Sequence, residues 1–337
     1  MSQMNLFTNK TAWIIVEPGL KGTENQCVAL TEQLKVEKVH TRYIQMNKPW
    51  IYLAPYVFTG RSKAYKNPEA LFKGPYPDII VASGRKAINA AMKIKKLSGG
   101  KAFLIVIQDP KLPSFMFDAV IAPQHDAISG KNVIKTIGAL NRISQDFLLQ
   151  NLNPAHSGLG NMPHPRVAVL IGGRTTKSEF SVSDAQALVK KLKQLKTGGA
   201  ALMITTSRRT GKIQTDLIKR ELGDADTEIW DGQGSNPYFD YLYHADYIIV
   251  TNDSVSMATE AIATGKPVLI ANIGTQGRRI EDFHKKLRDQ NRVKPFEGAL
   301  KDWKTPEYDD MVTVSQKLSE LYGQYLEEHA HVGNETH

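Results

Sequence analysis

Eight short apolar runs rich in branched side chains recur along this chain, and none has the polar alternation of a strand with one wet face. They are residues 13–16, 79–81, 103–107, 119–122, 167–171, 201–205, 247–250 and 268–271. Strands covered on both faces lose alternation, so these runs predict buried strands of parallel sheets. Helix-length amphipathic stretches, such as residues 25–34, 85–96, 183–195 and 255–264, lie between many of them. Strand alternating with helix is the α/β pattern. With 337 residues, the chain has length for two such domains at roughly 150 residues each.

Residues 151–165 hold three prolines and two glycines without periodicity and fall near the middle, which predicts a linker. The expected division is a first α/β domain over 1–150, the linker, a second over 166–306, and a terminal helix over 307–328. Met311, Val314, Leu318, Leu321, Tyr322 and Tyr325 form the apolar stripe of that helix, which needs a surface to cover, and the first domain is the expected one. The polar tail over 329–337 is expected to be mobile, its three histidines too sparse for a metal site.

Hydrophobic residues at 41% and charged residues at 23% exclude a disordered chain and a coiled coil. A net charge of +9 favours anionic partners. Dispersed lysines and the lack of a recognition motif weigh against nucleic acid. The single cysteine, Cys27, excludes an intrachain disulfide and suits a reducing compartment, so cytoplasm is expected. No run approaches the roughly 18 apolar residues of a spanning helix or looks like a signal peptide, so any membrane contact is expected to be peripheral.

In a doubly wound sheet, ligands bind outside the carboxyl ends of the strands. After the first run, Gly19 and Gly22 allow a tight turn before a helix whose first N–H groups suit an anion, although the spacing is not GxGxxG. After the fifth run stand Gly172, Gly173, Arg174, Thr175 and Thr176, and after the sixth Thr206, Ser207, Arg208, Arg209 and Thr210. Both turns combine amides or hydroxyls with guanidinium groups suited to phosphate. After the seventh run, Asp253 precedes Ser254, a good N-cap. Glu260 follows seven residues beyond Asp253, two turns on and on the same helical face. Each turn also has a plain reading as a solvated, capped helix start. Asp109 before Pro110, and His125 before Asp126, end strands of the first half, each without an identified partner. There is no GxxxxGK[ST], HExxH or GxSxG motif. Asp224 and Asp226 form a DxD pair in what reads as a solvated connection, so no metal is expected.

Taken in order, Gly22-Thr-Glu-Asn-Gln26, Gln108-Asp-Pro110, His125-Asp126, Asn132-Val133, Thr206-Ser-Arg-Arg-Thr210, Asn236-Pro-Tyr238, Asp253-Ser-Val-Ser-Met257, Glu260 and Gly265-Lys-Pro267 resemble the elongated-mitochondria fission family. That family joins plant mitochondrial-fission factors to bacterial proteins. The C-terminal half is also similar, more distantly, to nucleotide-sugar transferases of the glycosyltransferase-B fold. The resemblance implies two Rossmann-like doubly wound domains facing a cleft, the last helix returning to the first. It implies a donor site in which Glu260 holds the ribose, and Ser254, Gly172, Gly173 and Arg208 cradle phosphates. Arg174, Ser207, Arg209, Asn236, Asp253 and Ser256 line the same side. Gly19, Gly22, Asn25 and Gln26 would face the acceptor. Glu24 is the expected acceptor-activating base, with His125 and Asp109 in reserve.

The function this points to is metal-independent glycosyl transfer from a nucleotide-diphosphate sugar, needing no cofactor. The acceptor would be a lipid or another cell-envelope glycan precursor, reached from the cytoplasm at the inner face of an anionic membrane. The other expectation is a non-catalytic adaptor at a membrane surface that recruits a partner protein, as plant relatives are described. The sequence leaves the oligomeric state open.

Overall fold

A computed structural model describes residues 5–56, 62–175 and 178–334 of the chain. Thr176, singled out above, lies outside the described residues, as do the first four residues and the last three, including His337. The chain divides into two compact units, Met1–Arg142 with Asp309–His337, and Ile143–Tyr308.

The first unit runs β1 (Thr11–Val16), α1 (Lys21–Gln33), β2 (Lys38–Tyr43), α2 (Trp50–Leu53), α3 (Pro68–Phe72), β3 (Ile79–Ser83), α4 (Ala87–Leu97), β4 (Phe103–Ile107), β5 (Ala119–Pro123) and β6 (Val133–Thr136). Its six strands form one parallel sheet in the order β2-β1-β3-β4-β5-β6. Successive side chains on a strand point to opposite faces. Trp13, Ile15, Ile80, Ala82, Leu104 and Val106 accordingly pack with Ile88, Ala91 and Ile94 of α4. Ile14, Val16, Val81, Phe103 and Ile105 pack on the other face with Cys27 and Leu30 of α1.

The second unit opens with α5 (Gln145–Gln150) and a 3-10 stretch (Pro154–Asn161). It continues through β7 (Arg166–Leu170), α6 (Val182–Thr197), β8 (Ala201–Thr205), α7 (Lys212–Leu222), β9 (Thr227–Trp230) and α8 (Tyr238–His244). It ends with β10 (Tyr247–Thr251), α9 (Val255–Ala263), β11 (Val268–Ala271), α10 (Arg278–Asp289) and β12 (Val293–Pro295). Its parallel sheet has the order β12-β11-β10-β7-β8-β9. Read from the other edge, this is the 3-2-1-4-5-6 order of the Rossmann fold. Val167, Val169, Leu202 and Ile204 pack with Leu188 and Leu192 of α6 and with Leu217 and Ile218 of α7.

The last helix, α11 (Asp310–Asn334), belongs to the first unit and supplies Val314, Leu318, Tyr322 and Tyr325 to the core that α1 covers. Tyr322 stacks on Phe7 with ring centroids 4.9 Å apart. At the helix start, a buried Asp310 carboxylate accepts the backbone N–H of Ile137 at 2.7 Å.

Three expectations change. Residues 151–165 are not a linker: they lie inside the second unit, where the 3-10 stretch packs against α8, and the division falls at Arg142 instead. Residues 329–334 of the expected tail are helical, because α11 continues to Asn334, and the rest of that tail lies outside the described residues. The four strands absent from the sequence reading, β2, β6, β9 and β12, are the four sheet edges. An edge strand is not covered on both sides, so β2 reads Lys-Val-His-Thr-Arg-Tyr and is largely exposed.

If α11 completes the first core, Leu318→Ala should cost about 2–5 kcal/mol, while the exposed Lys317→Ala stays within about 0.5 kcal/mol. Urea unfolding of both variants tests this, and equal midpoints would show that α11 is not part of the cooperative core.

Candidate functional site

In the second unit the chain works outward from β7 to β8 and β9, then returns to the other side of β7 at β10. The topological switch point lies between β7 and β10, where a doubly wound sheet opens a crevice at its carboxyl edge. The loops that meet there are 171–175, 206–211 and 252–254.

Their junction is the carboxylate of Asp253, whose side chain is wholly buried. It accepts the Gly173 amide at 3.0 Å and the Thr251 hydroxyl at 2.6 Å, and it pairs with the Arg209 guanidinium at 2.8 Å. Thr251 Oγ1 in turn accepts the Gly172 amide at 2.8 Å. The Gly172 carbonyl accepts the hydroxyls of Ser207 and Thr210, both at 2.6 Å. The Arg174 amide donates to the Arg209 carbonyl at 2.9 Å.

This network explains both glycines. A Cβ on Gly172 would sit 2.1 Å from Asp253 Oδ2, and one on Gly173, where φ is +141°, would sit 2.2 Å from the Arg209 carbonyl oxygen. The expectation that Gly172 and Gly173 offer their amides to a phosphate is not met, because both N–H groups are already spent on Thr251 and Asp253. Asp253 and Ser207 likewise hold the loops to one another.

What remains open to a ligand is a groove of about 1130 Å³, lined by Arg174, Arg208 and Arg209 with Thr175, Ser178 and Glu179. Arg174 and Arg208 are exposed on it. Beside the Asp253–Arg209 pair, Ser254 caps α9, its hydroxyl accepting the Met257 amide at 3.3 Å. The remaining first-turn amides, that of Ser256 among them, have no intrahelical acceptor, and the helix dipole favours an anion there. Glu260 is half-buried one helical face along and accepts the hydroxyl of Tyr238. Burial, together with that carboxylate, pushes the Tyr238 hydroxyl well above its ordinary range, so Tyr238 acts as a donor. Asn236 is exposed, and its side chain accepts the Tyr238 amide at 3.0 Å, starting α8. Thr210 and Tyr238 stand in patterns noted from sequence but were given no site role there, and Thr251, the last residue of β10, was given none either.

A second cavity of the same unit is lined by Asn252, Gln276 and His284. The ring of His284 donates from Nε2 to the Asn252 carbonyl at 2.9 Å. Burial lowers its pKa to about 4, so it is neutral.

In the first unit the expected acceptor-side residues cluster at the turn after β1. Gly19 has φ +82°, as a tight turn requires. Gly22 lies within the first turn of α1, Asn25 is exposed, and buried Gln26 donates to the Gly22 carbonyl at 3.2 Å. Glu24 accepts the Tyr43 hydroxyl at 2.7 Å and the Lys21 ammonium at 3.0 Å. Those two bonds, Tyr43 first, hold its carboxyl below the usual range. Asp109, after β4, accepts the backbone N–H of Lys111 at 2.8 Å and its ammonium at 2.6 Å. Flanking this turn, Gln108 and Lys111 have φ of +74° and +59°. The side chain of His125, after β5, is only 2% exposed and faces Asp126 at 3.9 Å, so a reserve base there is closed off from solvent. The three candidates follow the carboxyl ends of the first, third and fourth of the strands β1-β3-β4-β5, Glu24 in the first turn of α1 and the others in loops, with neighbouring strands about 4.8 Å apart.

Among the described residues, no group of three or more His, Cys, Asp or Glu is placed to hold a metal ion. Asp224 of the DxD pair instead meets Lys196 and the Thr227 hydroxyl. No helix among the described residues is long and apolar enough to cross a membrane.

Two six-stranded parallel α/β sheets of this topology define a glycosyltransferase-B-like fold. A glycosyltransferase from Rickettsia africae is similar to it with a TM-score of 0.53 and 16% identity, over 94% of this chain and 89% of that one. MurG from Acinetobacter baumannii gives 0.52 and 14%, over 93% of each chain. UDP-GlcNAc 2-epimerase from Methanocaldococcus jannaschii gives 0.51 and 15%, over 92% of this chain and 99% of that one. Likeness at these identities shows the fold.

The family described as mitochondrial fission ELM1 matches residues 21–322, and the chain belongs to it. The mitochondrial fission protein ELM1 of Arabidopsis thaliana is 29% identical over 269 residues, 72% of this chain. The chain spans 63% of that relative's length. A Rickettsia prowazekii protein, RP120, is 30% identical over 295 residues, 77% of this chain and 82% of its own.

Because a methyl group at residue 172 collides with a buried carboxylate, Gly172→Ala should destabilise the protein by about 1–3 kcal/mol. Gly19→Ala, strained in φ but with open space around it, should cost less than Gly172→Ala. Chemical denaturation of the two variants checks the order, and its reversal would refute the packing role given to Asp253.

Proposed function

We propose that the second unit binds a nucleotide-diphosphate sugar and that the protein is a metal-independent glycosyltransferase. The observation that carries this reading is the arginine-lined groove at the switch point, joined through the Arg209–Asp253 pair to the start of α9. Arg174 and Arg208 would take the diphosphate, with the dipole of α9 and the Ser254 and Ser256 region adding positive potential. Glu260, two turns into α9, would accept the ribose hydroxyls once Tyr238 yields its bond. With arginines balancing the leaving diphosphate, the reaction needs no metal. An acceptor hydroxyl from a lipid or glycan would meet Glu24, ionised at neutral pH, whose basicity rises when the Tyr43 hydroxyl moves aside.

A nucleoside diphosphate or nucleotide sugar at 100 times its dissociation constant should add about 2.7 kcal/mol of stability, readily seen as a thermal shift. Arg208→Ala and Glu260→Ala should weaken that response. No shift with any of these ligands, or shifts in both variants as large as the wild type's, would remove the donor site.

The Arabidopsis relative's name gives it a part in mitochondrial fission, and beside it we propose a second reading, a non-catalytic adaptor that recruits a partner at an anionic membrane. A surface segment of the first unit exposes Tyr52 by 71%, Tyr56 by 62% and Leu53 by 51%, with exposed Lys48 beside them. Aromatic side chains beside basic ones suit a headgroup region, where each basic residue contributes about 1 kcal/mol, screened by salt. Sedimentation with anionic vesicles should exceed that with neutral ones at low salt, and Tyr52→Ser with Tyr56→Ser should reduce it. Equal sedimentation with both vesicle types would end the electrostatic part of this reading.

A further inference from the structure

His156 meets two polar residues from about 80 positions further along the chain, Ser235 and Asp240, where the 3-10 stretch packs on α8. His156 lies with Nδ1 3.1 Å from Asp240 Oδ2 and Nε2 2.9 Å from Ser235 Oγ. Asp240 is 2% exposed, and its other oxygen accepts the Asn153 amide at 2.9 Å. An ionised carboxylate only accepts hydrogen bonds, so in neutral His156 the proton is on Nδ1 and the lone pair on Nε2. In that tautomer the Ser235 hydroxyl donates to the Nε2 lone pair. Ser235 itself is exposed, on a turn in which Gly232 and Gly234 have φ of +96° and +71°.

A cavity of about 210 Å³ opens beside the imidazole, lined by Ala155, Leu159 and Met162 together with Thr227, Glu228 and Tyr241, while Ser235 stands on the exposed side of the imidazole outside that lining. It is smaller than the roughly 300–1,000 Å³ of sites for drug-sized ligands, and its apolar side suits a short acyl chain. The Tyr241 hydroxyl is wholly buried with no hydrogen-bond partner among the described residues. Burial first, then the Glu228 and Asp240 carboxylates, raise its pKa, so it stays a proton donor. A buried donor without a partner beside a cavity fits an oxygen atom of a bound group.

We propose that Ser235, His156 and Asp240 form a nucleophile, base and orienting carboxylate that hydrolyse esters of short acyl groups, an activity separate from the donor groove. Ser235 Oγ attacks the acyl carbon while its proton passes to His156 Nε2, and the alcohol leaves with that proton. The acyl-serine is then cleaved by water, whose proton again goes to Nε2 and returns to Ser235 as the carboxylic acid departs. The balance is ester plus water to acid plus alcohol, with no other reactant. Asp240 keeps the imidazole in the tautomer that leaves Nε2 free to accept. A bond that merely pinned the 3-10 stretch to α8 would need His156 and Asp240 alone. It would not need an exposed hydroxyl held on the basic nitrogen. The triad is recognised by geometry and not by sequence order, which is why the missing GxSxG motif does not speak against it.

The full-length protein is treated with a fluorophosphonate probe and separately assayed with p-nitrophenyl acetate and butyrate. The expected result is covalent labelling that peptide mass spectrometry maps to Ser235. Ester turnover should fall about 10³-fold in Ser235→Ala, which keeps the wild-type unfolding midpoint because the side chain is exposed. His156→Gln should lose the same activity. Labelling elsewhere, no labelling of the wild type, or hydrolysis unchanged in folded Ser235→Ala would each overturn the proposal.

Discussion

A parallel sheet must be covered on both faces, since its crossovers lay helices on each side. Most of this molecule follows from that need. Every strand of each sheet runs the same way, so every strand delivers its following loop to one edge, and the polar residues of interest gather there. In the first unit, α1 shares one face with α11, and Phe103 there meets the rings of Tyr322 and Tyr325. The chain provides that cover by bringing α11 back from beyond the second unit, so that Val314, Leu318 and Tyr322 complete the core.

At the switch point of the second sheet the same geometry crowds three loops into one place. A wholly buried carboxylate is costly unless paired and hydrogen-bonded. Asp253 meets that condition through Gly173, Thr251 and Arg209 at once. Its bulk dictates glycine at 172, and its charge is paired with Arg209, beside which Arg174 and Arg208 are exposed on the groove. The site is thus a rigid polar junction with an electropositive rim, a suitable base for an anionic ligand and less suitable as a cradle of free amides.

Helix α8 joins two chemically distinct regions of the second unit. Tyr238 reaches Glu260 on α9, while Asp240, two residues on and so about 200° around the helix, reaches His156. One short helix therefore orients a carboxylate of the proposed donor site and the imidazole of the proposed hydrolytic one. A fold of this class hosts many chemistries, and the family's association with mitochondrial fission does not select among them.

The eight inner strands were legible in the sequence because burial on both faces demands unbroken apolar runs, and all eight became β1, β3, β4, β5, β7, β8, β10 and β11. The amphipathic stripe of α11 and the Ser254 cap were legible for a similar reason: each is a local pattern with a local cause. Edge strands such as β2 and β9 were not, since a strand with one open side carries no such pattern. Nor did proline content reveal that residues 151–165 belong to the second unit, with Pro154–Asn161 among them forming a 3-10 stretch. The roles of Gly172 and Gly173 were misread from sequence because a glycine that admits a ligand and one that admits a buried aspartate look alike in a string of letters. Ser235, His156 and Asp240, as much as 84 residues apart, meet only through the packing of the 3-10 stretch on α8. Local burial and propensity are written in sequence, whereas the meeting of distant polar groups depends on how the elements pack, and that is decided by the tertiary structure alone.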